Sequence, residues 1–233
     1  MMWTLILINA GVFWIEMGLS PGQLEEVAGV LGIVPARYVD GGLRTAFPAW
    51  LWLWPFVTHM FLHGGWLHIV GNMWTLWIFG DNVEDRMGPI RFLAFYLLCG
   101  LAAALTHILL HPTSTVPVIG ASGAISGVLA AYLLLYPTAR IIVMMPWLFW
   151  PVFFDLPAIL YMGIWLLTQV FSGSVALAAG VGGEIAWWAH IGGFTAGLVL
   201  CPWMIVRRRP RRRMYADEYG LEGAWVGRPY RWS

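Results

Sequence analysis

The stretch Gly120-Ala121-Ser122-Gly123-Ala124-Ile125-Ser126-Gly127 decides how this sequence folds and what chemistry it can support. It opens an apolar segment that continues to about Tyr136, and it combines small residues with a hydroxyl group. Small residues let helix backbones approach closely, whereas a buried polar group needs a partner because its desolvation is costly. The stretch therefore predicts a tightly packed helix on which Ser122 either lines a helix contact or meets a polar group of another helix.

The composition predicts an integral membrane protein. Of the 233 residues, 60% are hydrophobic and only 11% are charged, whereas soluble domains are roughly half apolar and a quarter charged. A formal net charge of +1 gives no reason to expect nucleic acid or another acidic partner. Cys99 and Cys201 lie far apart in apolar segments, so we expect two free thiols rather than a disulfide.

Six apolar segments are predicted to be membrane-spanning helices, which need about 20 mostly apolar residues each. The segment 141–154 is apolar too, but it is short and interrupted by Pro146 and Pro151, so we interpret it as a connector at the membrane interface. The predicted fold class is an all-α polytopic membrane protein, a bundle of six transmembrane helices with a long outer first loop. The predicted spans are approximately 3–19, 66–80, 90–110, 119–136, 157–172 and 184–206.

The arginine-rich run 207–213 predicts the orientation, because positively charged segments stay on the cytoplasmic side. With six spans both termini are cytoplasmic, and the first loop, residues 20–65, lies outside. Such a long loop is expected to contain short helices in the outer leaflet. Residues 1–19 lack a basic start and a small-residue cleavage site, so we interpret them as a retained span. The chain then divides into a membrane domain, 1–206, and a flexible cytoplasmic tail, 207–233.

This topology brings four polar side chains to one depth near the outer face. Ser122 lies a few residues into the fourth span and His190 about two turns into the sixth, while His68 and Asn72 lie near the start of the second. All three spans enter the membrane from outside. Polar residues within a membrane are functional candidates by default, so their shared depth predicts a polar site.

Two faces of small residues predict that the fourth and sixth spans touch. Gly193 and Gly197 form a Gly-x-x-x-Gly pair that begins one turn after His190, on the same helix face. The fourth span presents small residues at 122–123 and 126–127 with the same spacing. Packing the two faces would place the serine beside the histidine. The predicted helix-packing residues of the site are Gly120, Gly123, Gly193 and Gly197.

A serine hydroxyl beside an imidazole is the arrangement of a nucleophile with its general base. We therefore expect Ser122 to attack a carbonyl and His190 to take its proton. The nearest carboxylate, Glu184, is predicted to face water, so a Ser–His dyad is expected rather than a triad. The residues alone also allow a purely structural interpretation, with a serine at a helix contact and a hydrogen-bonded histidine on a helix-packing face.

His68 and Asn72 are spaced i, i+4 and share a helix face. Amide hydrolysis creates an oxyanion, which needs preorganised hydrogen-bond donors. The His68 ring, the Asn72 amide and the backbone N–H of Ser122 could supply them.

His59 and His63 raise the alternative of a metal site, because they have the His-x-x-x-His spacing of zinc proteases. The glutamate that acts as base in those enzymes is replaced by Met60, and no third ligand with suitable spacing is evident. We therefore predict no metal and no other cofactor, and we expect His63 to shape the first loop. His107 and His111 receive no role.

Together these residues resemble the rhomboid family of intramembrane serine proteases over roughly residues 55–200. Each motif is weak alone, but their order and spacing across the spans are specific. The matching motifs are His63-Gly64-Gly65-Trp66-Leu67-His68-Ile69-Val70-Gly71-Asn72-Met73, Glu84-Asp85-Arg86-Met87-Gly88, Gly120-Ala121-Ser122-Gly123-Ala124 and Ala189-His190-Ile191-Gly192-Gly193.

The resemblance implies a six-helix core in a prokaryotic plasma membrane, with Ser122 as nucleophile, His190 as base, and His68 and Asn72 at the oxyanion. It implies substrates that are single-pass or polytopic membrane proteins, cut near the outer face of the lipid bilayer where their helices unwind. The fifth span and a Gly-rich loop at 172–183 would act as gate and cap.

Two departures from the family pattern stand out. Many members have an aromatic residue where this chain has Ser126, and some have a Trp-Arg pair in the first loop that is absent here, although Arg37 or Arg44 could take its anchoring role. Two other functions compete with proteolysis. One is a non-catalytic rhomboid-like protein that binds client helices, and the other is a small-solute transporter, which would more often show internal repeats and midplane polar residues.

Overall fold

The computed structural model describes residues 1–40, 48, 50–147, 150–179 and 186–206. Within these ranges, helices of 14 residues or more build a bundle, and short helices occupy the first loop. The long helices are α1 (Met2–Glu16), α6 (Trp66–Met87), α7 (Pro89–Leu110), α8 (Ser122–Leu135), α9 (Ala158–Ala178) and α10 (Trp187–Met204). The short ones are α2 (Pro21–Leu31), α3 (Pro35–Val39), α4 (Trp50–Leu53) and α5 (Pro55–Thr58), followed by a 3-10 turn at His59–Phe61.

Two helices in the described ranges have both the length and the composition of membrane spans, Pro89–Leu110 and Ala158–Ala179. The helices α1 and α8 are apolar but shorter, with 15 and 14 residues. The helical membrane-type bundle thus agrees with the predicted architecture, while the count of six spans stays a prediction.

The helix ends differ from the predicted spans where site residues lie. Ser122 is the first residue of α8, not a few residues into it, and His190 lies one turn into α10 rather than two. Before Ser122, apolar residues outside the helix extend the hydropathic segment beyond the helix itself. The helix α9 runs through 172–178, where a Gly-rich loop is predicted. Residues 180–183 of that predicted loop lie outside the described residues, as do Glu184, Arg44 and the tail 207–233.

The segment between α8 and α9 is a two-stranded antiparallel hairpin, formed by β1 (Arg140–Trp147) and β2 (Trp150–Pro157). Its register pairs Pro146 with Pro151 close to the turn, where missing backbone donors are tolerated. The rest of each strand is rich in β-branched and aromatic residues, which favour strands. The connector is therefore not a span, in agreement with the prediction, but the all-α assignment is wrong at this hairpin.

One end of the bundle joins three helix termini. The backbone N–H of Met2, at the start of α1, donates to Glu84 Oε2 at 2.6 Å near the end of α6. The backbone N–H of Val206, just after α10, donates to the carbonyl oxygen of Arg86 at 3.0 Å. The helix α1 therefore begins where α6 and α10 end, and Ser122, at the start of the neighbouring α8, belongs to the opposite end.

The first loop contains the predicted short helices and is held by polar contacts. The Arg37 side chain, which is buried, donates to the backbone carbonyl oxygens of Gly29 and Val30 at the end of α2. The Glu16 carboxylate, also buried, accepts the backbone N–H of His63, with both oxygens at 3.2 Å. These bonds tie the loop to the end of α1 and fix its approach to α6.

The closest helix contact joins α8 to α10. A Cβ atom at Gly193 would overlap the carbonyl oxygen of Gly123, and one at Gly197 would overlap that of Gly127. The side chain of Cys99, a free buried thiol on α7, also packs against Gly127, so a third helix adjoins this contact. The backbones of α8 and α10 therefore touch directly, which leaves little freedom in their relative position.

This contact can be tested with a pair of glycine substitutions. Gly197→Ala should destabilise the protein by roughly 1–3 kcal/mol, because the added methyl group overpacks the α8–α10 contact. Gly163→Ala on α9 is the matched control, since a Cβ there would meet nothing within 4 Å. Thermal unfolding in detergent micelles measures both, and equal stability of the two variants would contradict the packing described.

Candidate functional site

Ser122 and His190 are hydrogen-bonded to each other. The Nε2 atom of His190 lies 2.8 Å from the Oγ atom of Ser122. Each residue precedes, by one to three positions, a glycine of the backbone contact between Gly123 and Gly193. The distance between the two side chains is therefore set by the helix packing, not by loops.

His190 has a second polar partner, Gln169, which the sequence interpretation missed. The Oε1 atom of Gln169 lies 2.7 Å from the Nδ1 atom of His190, and the glutamine side chain is only 5% exposed. An amide oxygen is an acceptor only, so this bond assigns the hydrogen to Nδ1 and leaves Nε2 to accept the Ser122 hydroxyl proton. In the described part of the chain, the partner of Nδ1 is thus an amide rather than water or a carboxylate. The available signal was a lone amide within an apolar segment.

Aromatic rings also surround the imidazole. The ring of Trp165 on α9 lies 6.2 Å from that of His190 and is tilted by 37°, and the ring of Trp187 lies 6.5 Å away, edge-on. Ser126, which stands where many rhomboid-like sequences have an aromatic residue, is buried and donates to the carbonyl oxygen of Ser122 at 2.7 Å. The aromatic contact to the histidine therefore comes from α9 and α10 instead of α8.

His68 and Asn72 face the residue pair just before the serine. A Cβ atom at Gly120 would lie 2.5 Å from His68 Nε2 and 3.7 Å from Asn72 Nδ2. The backbone N–H of Gly64 donates to His68 Nδ1 at 3.4 Å, which assigns the ring hydrogen to Nε2. The Nδ2 atom of Asn72 is buried and has no hydrogen-bond partner among the described residues. Two side-chain donors thus lie next to Gly120, two residues before Ser122.

The start of α8 adds backbone donors. The first helical hydrogen bond runs from the Ile125 N–H to the carbonyl oxygen of Ala121, at 3.0 Å. The N–H groups of residues 122–124 precede that bond and have no acceptor within the helix. Together with the partial positive charge of a helix N-terminus, they favour a negative charge next to Ser122.

Gly120 differs from the other glycines of the predicted packing set. It lies before α8, where its neighbours are the His68 ring and Asn72 rather than a helix backbone. Its φ of 121° is unfavourable for residues with a side chain. The prediction that Gly120 packs helices together is therefore wrong, because Gly120 shapes the turn that leads into α8. Gly123, Gly193 and Gly197 do lie in the helix contact.

One cavity joins these groups. It has a volume of about 1150 Å³, and Ser122, His190, His68 and Asn72 all line it. The cavity gives the serine oxygen space for a reacting group, next to a base on one side and hydrogen-bond donors on the other.

The remaining histidines do not form a metal centre in the described ranges, where no three His, Cys, Asp or Glu side chains converge. His59 is buried, with Nδ1 at 2.7 Å from the carbonyl oxygen of Pro55. His63 is 1% exposed and packs edge-on against His68, with ring centroids 5.0 Å apart. Burial, together with the neighbouring His68, lowers the pKa of His63 to about 4, so the His63 ring is neutral at physiological pH. His107 and His111 stack at 4.6 Å on the cavity wall.

Comparison with known proteins agrees with the motifs. A family model described as the rhomboid domain matches residues 52–208. Rhomboid-like protein 11, chloroplastic, of Arabidopsis thaliana is 30% identical over 210 residues, which is 86% of this chain and 64% of that protein. Rhomboid protein 1, mitochondrial, of Saccharomyces cerevisiae is 32% identical over 167 residues, covering 67% of this chain and 44% of its own length. Rhomboid protease GluP of Bacillus subtilis is 39% identical over 80 residues, 34% of this chain and 15% of its own. The chain thus spans less than two thirds of the length of each of these relatives.

The geometry predicts that Ser122 is a reactive nucleophile. A fluorophosphonate probe should attach covalently to Ser122, and His190→Ala should slow the attachment by about 10²-fold or more because general-base assistance is lost. Ser126→Ala is the control, since the Ser126 hydroxyl is buried and already bonded to a backbone carbonyl. Mass spectrometry of the labelled peptide identifies the residue, and undiminished labelling of Ser122→Ala protein would rule out this assignment.

Proposed function

This chain belongs to the rhomboid family, and we propose that it is a serine endopeptidase that cleaves transmembrane helices of membrane-protein substrates. The observation that carries the proposal is the 2.8 Å hydrogen bond between Ser122 Oγ and His190 Nε2 on the wall of a cavity. The relative named as a protease, GluP, supports the reaction class. The proposed catalytic residues are Ser122 and His190, with His68 and Asn72 stabilising the transition state.

The proposed reaction follows from which atoms can give and take protons. Ser122 Oγ attacks the scissile carbonyl carbon while its proton passes to His190 Nε2. His190 then returns that proton to the leaving amine, and water hydrolyses the acyl-enzyme through the same base. The carbonyl oxygen becomes negatively charged in each step. The donors closest to its expected position are the Asn72 amide, the His68 ring and the N–H groups that begin α8.

The length of α8 supports cleavage below the membrane surface. Its 14 residues extend over about 21 Å, whereas the hydrocarbon core of a bilayer is about 30 Å thick. If α8 ends at the cytoplasmic face, Ser122 lies inside the membrane, several ångströms below the outer surface. The non-helical backbone before it is then sheltered by protein and lines the cavity, the setting in which such backbone is tolerated at that depth.

The family consists of integral membrane proteins, and we propose that both termini of this chain are cytoplasmic and that cleavage occurs near the outer face. The joined ends of α1, α6 and α10, opposite Ser122, support this arrangement. The relatives include chloroplastic and mitochondrial proteins, so family membership does not select the membrane. A prokaryotic plasma membrane stays a prediction.

Cleavage of a panel of single-span substrates in detergent tests the function. Ser122→Ala and His190→Ala should both abolish product formation, because the two residues act as a unit. A client-binding or transport function predicts instead that wild type and Ser122→Ala leave every substrate intact. Full cleavage by purified Ser122→Ala protein would refute the mechanism.

The oxyanion assignment has its own test. Asn72→Ala should lower kcat by about 10²-fold or more with little change in KM, since the lost donor acts mainly in the transition state. Asn82→Ala on the same helix is the matched control, because the Asn82 side chain donates to the carbonyl oxygen of Ile78 within its own helix. A similar kcat for the two variants would contradict the role of Asn72.

Gly120 provides a further test. Gly120→Ala should reduce cleavage by about 10²-fold, because the methyl group would displace the His68 ring and strain the turn before Ser122. Gly71→Ala is the control, since a Cβ at Gly71, next to Asn72, would meet nothing within 4 Å. Activity of Gly120→Ala equal to that of the control would show that this turn does not position the site.

A further inference from the structure

We propose that Gln169 is a positioning residue for His190, whose side-chain oxygen holds the imidazole in the tautomer that accepts a proton from Ser122. The proposal rests on the function proposed above, because the tautomer matters only if His190 acts as a base. It assigns a role to a residue outside the Ser–His pair and on a different helix, α9.

The neighbours of the Gln169 side chain fix the orientation of its amide. The Nε2 atom of Gln169 lies 3.4 Å from the carbonyl oxygen of Trp165 and 3.3 Å from Thr168 Oγ1. A backbone carbonyl oxygen only accepts hydrogen bonds, so the NH₂ group belongs on that side of the amide. The oxygen must then face His190 Nδ1, where the distance is 2.7 Å.

The orientation of the amide determines the tautomer of the His190 imidazole. With an acceptor at Nδ1, the ring carries its hydrogen there, and Nε2 presents a lone pair to the Ser122 hydroxyl at 2.8 Å. The opposite amide orientation would place a donor at Nδ1 and move the ring hydrogen to Nε2. His190 could then only donate to Ser122 Oγ, and it could not take the proton.

The burial of residue 169 favours an amide over a carboxylate. Gln169 is only 5% exposed. An ionised carboxylate at that place would need a cationic partner to offset its desolvation, whereas a neutral amide needs only hydrogen bonds. An amide oxygen can therefore orient the histidine from a buried position at lower cost than a carboxylate.

Gln169 belongs to the face of α9 that contacts α10. Trp165, Gln169 and Gly173 recur every four residues and form one stripe of that helix. The whole stripe faces the first turn of α10, since Trp165 and Gln169 contact His190 and the carbonyl oxygen of Gly173 accepts the indole N–H of Trp188 at 3.2 Å. Much of the rest of α9 is exposed. The base is thus fully oriented only while this stripe is docked on α10.

Two substitutions isolate the hydrogen bond. Gln169→Met keeps the length of the side chain and removes the acceptor, and Gln169→Glu restores an acceptor oxygen at the same position. Ser174→Met is the matched control, because it introduces the same side chain at an exposed position of α9. All variants are compared as full-length protein in detergent micelles.

The first measurement is the histidine tautomer, which does not depend on protease activity. In ¹⁵N-histidine NMR at alkaline pH, the His190 signals are identified by their absence in His190→Ala. We expect the Nδ1–H tautomer in wild type, Gln169→Glu and Ser174→Met, and a mixed or Nε2–H population in Gln169→Met. An unchanged tautomer in Gln169→Met would overturn the proposal.

The second measurement is the rate of fluorophosphonate attachment and of substrate cleavage. We expect Gln169→Met to lower both rates by about tenfold, the size of one net hydrogen bond. Gln169→Glu returns the acceptor oxygen but places a carboxylate at a buried position, so it should recover only part of the loss. A loss of rate in Gln169→Met with an unchanged tautomer and an unfolding temperature below that of Ser174→Met would assign Gln169 a structural role and overturn the proposal. If wild type itself neither reacts nor cleaves, the proposed protease function fails, and the tautomer measurement still decides whether Gln169 orients His190.

Discussion

The direct contact between the backbones of α8 and α10 is the constraint on which the rest of the structure depends. A methyl group at Gly193 would overlap the carbonyl oxygen of Gly123, and one at Gly197 would overlap that of Gly127. Apolar side chains provide little drive for helix association within lipid, where close packing of small residues matters more. That contact positions Ser122 and His190 at the same end of two rigid elements, so their 2.8 Å hydrogen bond follows from packing.

The polar groups of the site come from several helices, and most of them offset the cost of burial with a hydrogen bond. Ser122 and His190 are hydrogen-bonded to one another, and Gln169 accepts a hydrogen bond from the second ring nitrogen of His190. Ser126 donates to a backbone carbonyl oxygen of its own helix. The Asn72 amide is the exception, because its buried Nδ2 has no partner in the described part of the chain. An unused donor beside the serine costs free energy at rest, which is consistent with a group that is satisfied only when an oxyanion forms.

Sequence patterns located the helices well and their ends poorly. Hydropathy responds to apolar residues whether or not they are helical, so the non-helical residues just before Ser122 read as part of a span. The β1–β2 hairpin was not foreseen because prolines usually interrupt regular structure, yet here Pro146 and Pro151 face each other near the turn. Gln169 escaped notice for another reason. An amide within an apolar segment marks it only as polar, and its role depends on a contact with His190, 21 residues away in the chain.

The sequence by itself determined the class of protein, the helices that carry polar residues and the small faces through which two of them pack. Those properties are encoded locally, in composition and in spacings of three or four residues. Only the tertiary structure decided which nitrogen of His190 faces the serine, which glycine shapes a turn rather than a helix contact, and which side chain accepts from the ring. These depend on the rotation and depth of one helix against another, and such relations are set by the packing of the whole bundle.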